Sequence, residues 1–221
     1  MASAASKILK LIEENEIEYV DLRFTDPKGK WQHLTMVSGV IDEDMLTDGF
    51  MFDGSSIAGW KAINESDMIL MPDLDATYVD PFAATPTLIL VCNIVEPSTG
   101  ELYARDPRST ATRAEAYLKA TGVGDTVFVG PEAEFFMFDD VRFEDGYNAS
   151  SYRIDDIELP TNSAREYDGG NQAHRPRAKG GYSPVGPVDS AMDIRGEMVG
   201  TMIEMGLPMD KHHHEVAAAQ H

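Results

Sequence analysis

Tyr19-Val20-Asp21-Leu22-Arg23-Phe24-Thr25 runs into Asp26-Pro27-Lys28-Gly29-Lys30 and then into Trp31-Gln32-His33-Leu34-Thr35-Met36. Val20, Leu22 and Phe24 fall on one face of a strand of period two. Asp26-Pro27-Lys28-Gly29 carries the residue types that close a turn, so the second run is predicted to pair back on the first as a hairpin. Upstream, Ser6 precedes Ile8, Leu11 and Ile12 at helical spacing, which predicts an amphipathic helix of about three turns ending at Asn15. Downstream, Met68–Met71 and Leu88–Val95 read as further strands among Pro72, Pro81 and Pro86. Residues 1–105 therefore read as a small mixed sheet with one main helix.

A second domain is expected to begin at 106. Asp106-Pro107 offers a cap followed by proline at the first helical position, and Ala111, Ala114, Tyr117 and Leu118 form an apolar stripe that ends at Gly122. Thr126–Val129 and Glu132–Phe138 read as strands, and Asp189–Met205 as a helix with Ile194, Met198, Met202 and Met205 along one side, the methionines acting as core filler. Between them, Pro160–Pro187 is polar, rich in Gly and Pro, and carries Arg165, His174, Arg175, Arg177 and Lys179; so long a loop in a compact domain is functional or disordered. The last residues, Glu215–His221, form a rising apolar run without a stop signal, which reads as a chain ending inside an element.

The 221 residues are 43% hydrophobic and 25% charged, an ordinary globular composition with room for one or two cores. With 38 Asp and Glu against 18 Lys and Arg, the charge argues against a groove for nucleic-acid phosphates or an anionic membrane. No apolar run approaches the roughly 20 residues of a membrane span, and no secretory leader pattern opens the chain. The single cysteine, Cys92, lies in an apolar run without a partner, as expected of a core thiol in a reducing compartment, so a cytoplasmic location is predicted.

Three stretches carry chemistry. In Gly130-Pro131-Glu132-Ala133-Glu134-Phe135-Phe136-Met137-Phe138, a strand would send Glu132 and Glu134 to one face, roughly 6.5–7 Å apart, able to hold hard cations; the alternative is a solvated face on an edge strand. In Lys211-His212-His213-His214-Glu215, a strand would group His213 with Glu215, which offers a third carboxylate; zinc is the weaker reading, because no further ligand stands at a known spacing. Met51-Phe52-Asp53-Gly54-Ser55-Ser56-Ile57-Ala58-Gly59-Trp60 is a small-residue loop whose simplest account is an Asx-type turn, and it lacks the spacing of a Walker or dinucleotide loop.

Asp53-Gly54-Ser55-Ser56, Gly130-Pro131-Glu132-x-Glu134-Phe135-Phe136, Lys179-Gly180-Gly181-Tyr182 and His213-His214-Glu215-Val216-Ala217 stand in the order and at the relative spacing of glutamine synthetases of the bacterial class I type, which the chain closely resembles along essentially its whole length. The resemblance implies an α+β fold, with a β-grasp domain over 1–105 and the first part of a catalytic domain with a mainly antiparallel sheet over 106–221. It implies a ligase of nitrogen metabolism that moves the γ-phosphoryl group of ATP onto L-glutamate and lets ammonia displace phosphate. Two or more Mg²⁺ or Mn²⁺ ions per site and a homo-oligomer of two stacked hexameric rings are also implied.

By the same resemblance, Glu134 and Glu215 look like ligands of the metal on the glutamate side, and Glu132 like a ligand of the metal that bridges the ATP phosphates. Asp53 and Ser56 look like residues that reach into the neighbouring subunit's site, where the aspartate binds ammonium and draws off its proton. Tyr182 and Glu215 wall that pocket, Asp210 lies near the nucleotide and His213 near the phosphates, while Trp60 is a packing residue. The family's remaining glutamate and histidine ligands, its clamp arginines, its flap and its regulatory tyrosine follow later in relatives and are not among these residues. Two other readings stay open: a relative that joins glutamate to an amine or polyamine, and a non-catalytic assembly or regulatory homologue.

Overall fold

The computed structural model describes residues 3–159 and 175–221. The chain divides into two compact units, Met1–Val129 and Gly130–His221. In the first, helix α1 (Ala4–Glu14) begins one turn earlier than Ser6 suggested, because Ser3 supplies the cap by accepting from the Ser6 amide at 3.0 Å. It buries Ala5 and Ile8 and ends at Asn15.

Strands β1 (Tyr19–Thr25) and β2 (Trp31–Val37) form the predicted hairpin, with Leu22 opposite Leu34. Helix α2 (Glu43–Asp48) and strand β3 (Phe50–Asp53) follow. Strands β4 (Asp67–Val79) and β5 (Thr87–Val95) complete a five-stranded sheet in the order β2-β1-β5-β4-β3. Only β1 and β5 run parallel, so the two central strands are joined by a long excursion, as in a β-grasp. Central placement accounts for the near-continuous apolar run of β5: Leu88, Leu90, Cys92 and Ile94 are all fully buried. Pro72 does not end β4. It stays in the strand opposite Cys92 and the register shifts between Pro72 and Thr77, where a missing N–H is tolerated.

Helix α3 (Pro107–Thr121) has the predicted cap Asp106 and closes at Gly122, whose φ of 70° is the left-handed conformation of a helix end. It clusters with the first unit. Its stripe is uncovered among the described residues; Tyr117 is 73% exposed, and Ser109 is the helix's buried residue.

The second unit contains the hairpin β6 (Asp140–Asp145) and β7 (Ser150–Asp155), and helix α4 (Met192–Glu204). Two strand predictions are corrected here. Thr126–Val129 forms no ladder, and Glu132–Phe138 makes only an isolated bridge, Phe136 to Gln220, flanked by reciprocal amide–carbonyl bonds of 2.8 Å between Phe135 and His221. Both segments have strand-type sequences, but a ladder also needs a neighbour of matching length. The α4 methionines are corrected too: Met198 is 40% exposed and so only partly covered. Within the predicted loop 160–187, residues 160–174, with Arg165 and His174, lie outside the described residues.

Candidate active site

In the first unit, Asp53 ends β3 and caps a single turn, Gly54–Ser56. Its Oδ1 accepts from the Ser55 amide at 2.9 Å and from the Ser55 hydroxyl at 2.6 Å, the Asx turn the sequence suggested. The Ser55 hydroxyl, then the Ser55 amide and Ser56, hold the exposed carboxyl below its ordinary value, so Asp53 is ionised at neutral pH. A methyl group on Gly54 would stand 2.4 Å from the Met68 sulfur, so glycine alone lets this turn sit on β4. Trp60 is a packing residue, 5% exposed among Phe24, Phe52 and Tyr103.

In the second unit, the segment 181–183 lies along 214–216. The Gly181 amide donates to the Val216 carbonyl and the Ser183 amide to the His214 carbonyl, each at 3.1 Å. The approach is close: a Cβ on Gly181 would fall 2.6 Å from the Glu215 carbonyl oxygen. This pairing puts the Tyr182 ring edge-on to His213, with centroids 5.3 Å apart, and His213 Nδ1 lies 3.5 Å from Glu215 Oε1. His213 and Glu215 thus share a side, as alternation predicted, although 211–215 forms no ladder strand. Glu215 donates its amide to the Gln220 carbonyl at 2.8 Å, and the Gln220 side chain donates to Glu134 Oε2 at 2.9 Å, so one glutamine ties the Glu134 carboxylate to the backbone of Glu215.

Glu132 and Glu134 are exposed, and Phe136 and Phe138 stack on each other and leave the glutamates uncovered. Asp210 is exposed as well. Among the described residues, no lysine or arginine pairs with Glu132, Glu134 or Glu215. Carboxylate oxygens left without a lysine or arginine partner suit a hard divalent cation. Asp53 and Ser56 belong to the other unit.

Sequence reasoning missed the polar network beneath. Glu158 is 3% exposed and His214 0%. Glu158 accepts from the Ser190 hydroxyl at 2.5 Å, from His214 Nε2 at 2.7 Å and from the Ala219 amide at 2.7 Å. Burial pushes the Glu158 carboxyl up, but these bonds outweigh it and leave it below its ordinary value; the same partnership raises His214 against its burial. Arg195, 4% exposed, makes a two-pronged pair with Asp189 at 3.0 and 2.6 Å and donates to His221 Nδ1 at 2.8 Å. No local spacing signals the partners of Glu158, which lie 32 to 61 residues away in sequence.

Comparison with known proteins gives two successive family matches. Residues 16–97 match the model described as glutamine synthetase, beta-Grasp domain, and residues 104–221 match glutamine synthetase, catalytic domain. The chain is 60% identical to a glutamine synthetase of Rhizobium meliloti (strain 1021) over 220 residues, 99% of this chain and 47% of that protein. It is 56% identical to one of Escherichia coli (strain K12) over 216 residues, 98% of this chain and 46% of that protein. It therefore spans about half the length of these relatives. The cryo-EM structure of a Plasmodium falciparum glutamine synthetase superposes with a TM-score of 0.86 at 23% identity, covering 99% of this chain and 43% of that one, a likeness of fold.

Proposed function

The chain belongs to the glutamine synthetase family, and from that premise we propose that it supplies part of the active site of an ATP-dependent glutamate–ammonia ligase. The observation that carries this reading is the gathering of Tyr182, His213, Glu215 and Glu134 around the paired segments 181–183 and 214–216, with the carboxylates left without a lysine or arginine partner among the described residues. We place a β-grasp domain at 1–105 and the first part of a catalytic domain at 106–221, and the two successive family matches support that division.

In this reading, a γ-carboxylate oxygen of L-glutamate attacks the γ-phosphorus of ATP and ADP leaves; ammonia then attacks the acyl carbon and phosphate leaves. When bound, Mg²⁺ or Mn²⁺, two or more per site, would neutralise phosphate oxygens. Glu134 and Glu215 would hold the ion on the glutamate side and Glu132 the ion on the nucleotide side. Asp210 faces the nucleotide and His213 its phosphates. Tyr182 and Glu215 wall the ammonium pocket. Asp53, ionised at neutral pH, takes the proton that ammonium must lose, with Ser56 beside it, both reaching into the site of an adjacent copy of the chain within a double-ring homo-oligomer. Among the described residues, no helix is long and apolar enough to cross a membrane. We place the protein in the cytoplasm, a reading supported by the unpaired thiol Cys92.

The test is phosphate release. Release that requires ATP, glutamate, ammonium and Mg²⁺ or Mn²⁺ together, and that falls by two orders of magnitude in Asp53→Ala, is expected; about that loss is typical of removing a group that takes a proton in the reaction. Turnover with ethylamine or putrescine but not ammonium would overturn the ammonia reading.

A further inference from the structure

We propose that Glu158 is a positioning residue that aims Glu215 and His213 by fixing the buried backbone behind them, a proposal that rests on the metal-ligand reading of Glu134 and Glu215. The Glu158 carboxylate gathers three separate parts of the unit: Ser190 just before α4, His214 beside Glu215, and Ala219 in the turn that follows. Ala219 has a φ of 62°, a left-handed conformation unfavourable for a residue with a side chain, so the bond from its amide helps to hold a turn the backbone would not adopt unaided. That turn places Gln220, whose carbonyl receives the Glu215 amide and whose side chain reaches Glu134. One buried carboxylate therefore acts on both ends of the segment that carries Glu215.

Glu158, His214 and His221 bring their ligand atoms within 4.8 Å of one another, the spacing of a metal cluster. In this structure those atoms are engaged in hydrogen bonds instead. His214 Nδ1 faces the Glu215 carbonyl at 2.6 Å and Nε2 faces Glu158 at 2.7 Å, so both nitrogens are engaged by oxygen partners; His221 Nδ1 is taken by the Arg195 guanidinium. The cluster is a charge-balanced support, with Glu158 and Asp189 set against His214 and Arg195, and it lies under the metal-facing carboxylates in the way outer partners orient metal ligands.

The experiment measures Mn²⁺ binding to the 221-residue chain by electron paramagnetic resonance of the free ion, with circular dichroism and melting to follow folding. Wild type is expected to bind Mn²⁺, Glu215→Gln to bind it weakly, and Glu158→Gln to lose about tenfold in affinity while keeping the wild-type spectrum. The double variant is expected to be no weaker than Glu215→Gln alone, because Glu158 acts through Glu215. Met202→Ala, which loosens α4 without touching the network, should lower the melting temperature and leave affinity as in wild type. If Glu158→Gln fails to fold, Ser190→Ala takes its place, with a smaller loss in the same direction. Wild-type affinity in Glu158→Gln, or in Ser190→Ala when that stands in, overturns the proposal; so does a loss that adds in full to that of Glu215→Gln. Wild-type affinity in Glu215→Gln, or no binding by wild type, overturns the metal reading itself and the proposal with it.

Discussion

Cys92 lies fully buried in β5, and burial pushes its thiol up to about 12, so almost none of it is thiolate at neutral pH. The native chain is expected to resist iodoacetamide at pH 8 on a timescale in which the urea-unfolded chain is fully alkylated; equal rates would contradict the packing described for β5. Gly181 is the opposite kind of residue, decisive because of what it lacks. Gly181→Ala drives a Cβ against the Glu215 and Val216 carbonyls, and about 1–3 kcal/mol of lost stability is expected on urea unfolding, as for other overpacked sites. Such residues were unevenly legible. Asp53, Glu132, Glu134, Tyr182 and Glu215 stand in recognisable motifs, whereas Glu158 and Arg195 carry no local mark, because a buried charge is defined by its partners.

Among the elements, α3 shows how far local chemistry reaches. Asp106, fully buried, accepts from the Ser109 hydroxyl at 2.7 Å and from the Ser109 and Arg108 amides at 3.2 Å, and also receives the Ile94 amide of β5 at 3.3 Å. Asp106→Ala should remove about 2 kcal/mol, the upper end of a cap loss, because the buried β5 amide loses its acceptor as well; a midpoint unchanged in urea would show the cap to be dispensable. The cap and the Gly122 stop were plain in the sequence. Helix α2 and the β6–β7 hairpin escaped notice although signals exist for both: Asp42 before Glu43-Asp44, and Asp145-Gly146 where β6 ends and the chain turns back. Thr126–Val129 erred in the other direction, since its β-rich composition describes an affinity for a neighbour and not the presence of one.

Across the whole molecule, charge sets the response to solution conditions. The net charge of −20 at pH 7 repels itself, so raising sodium chloride from 10 to 200 mM should raise the melting temperature as screening grows; a fall would mean that paired charges outweigh the excess. Acid acts through particular carboxylates. Burial pushes Asp21 up, but Thr35, Arg23 and His33 outweigh it and hold it below its ordinary 3.8. A carboxyl depressed in the native state binds protons more weakly there than when unfolded, so its stabilisation is complete above pH 3.8 and is lost as pH falls through the lower native value. Asp189, held down by Arg195 against its burial, acts in the same sense in the second unit, so melting temperatures should decline steeply below about pH 4. A flat profile there would contradict both pairs. By itself, the sequence determined the β1–β2 hairpin, the Asp106 cap and Gly122 stop of α3, the family and the candidate carboxylates, because periodicity and capping act between near neighbours and motif spacing is written along the chain. Only the tertiary structure decided that Glu134 meets the 215–221 segment through Gln220 and that Glu158 supports it from below. Those bonds join residues 86 and 56 positions apart, and at such separations partnership is set by how the backbone packs, which no local pattern encodes.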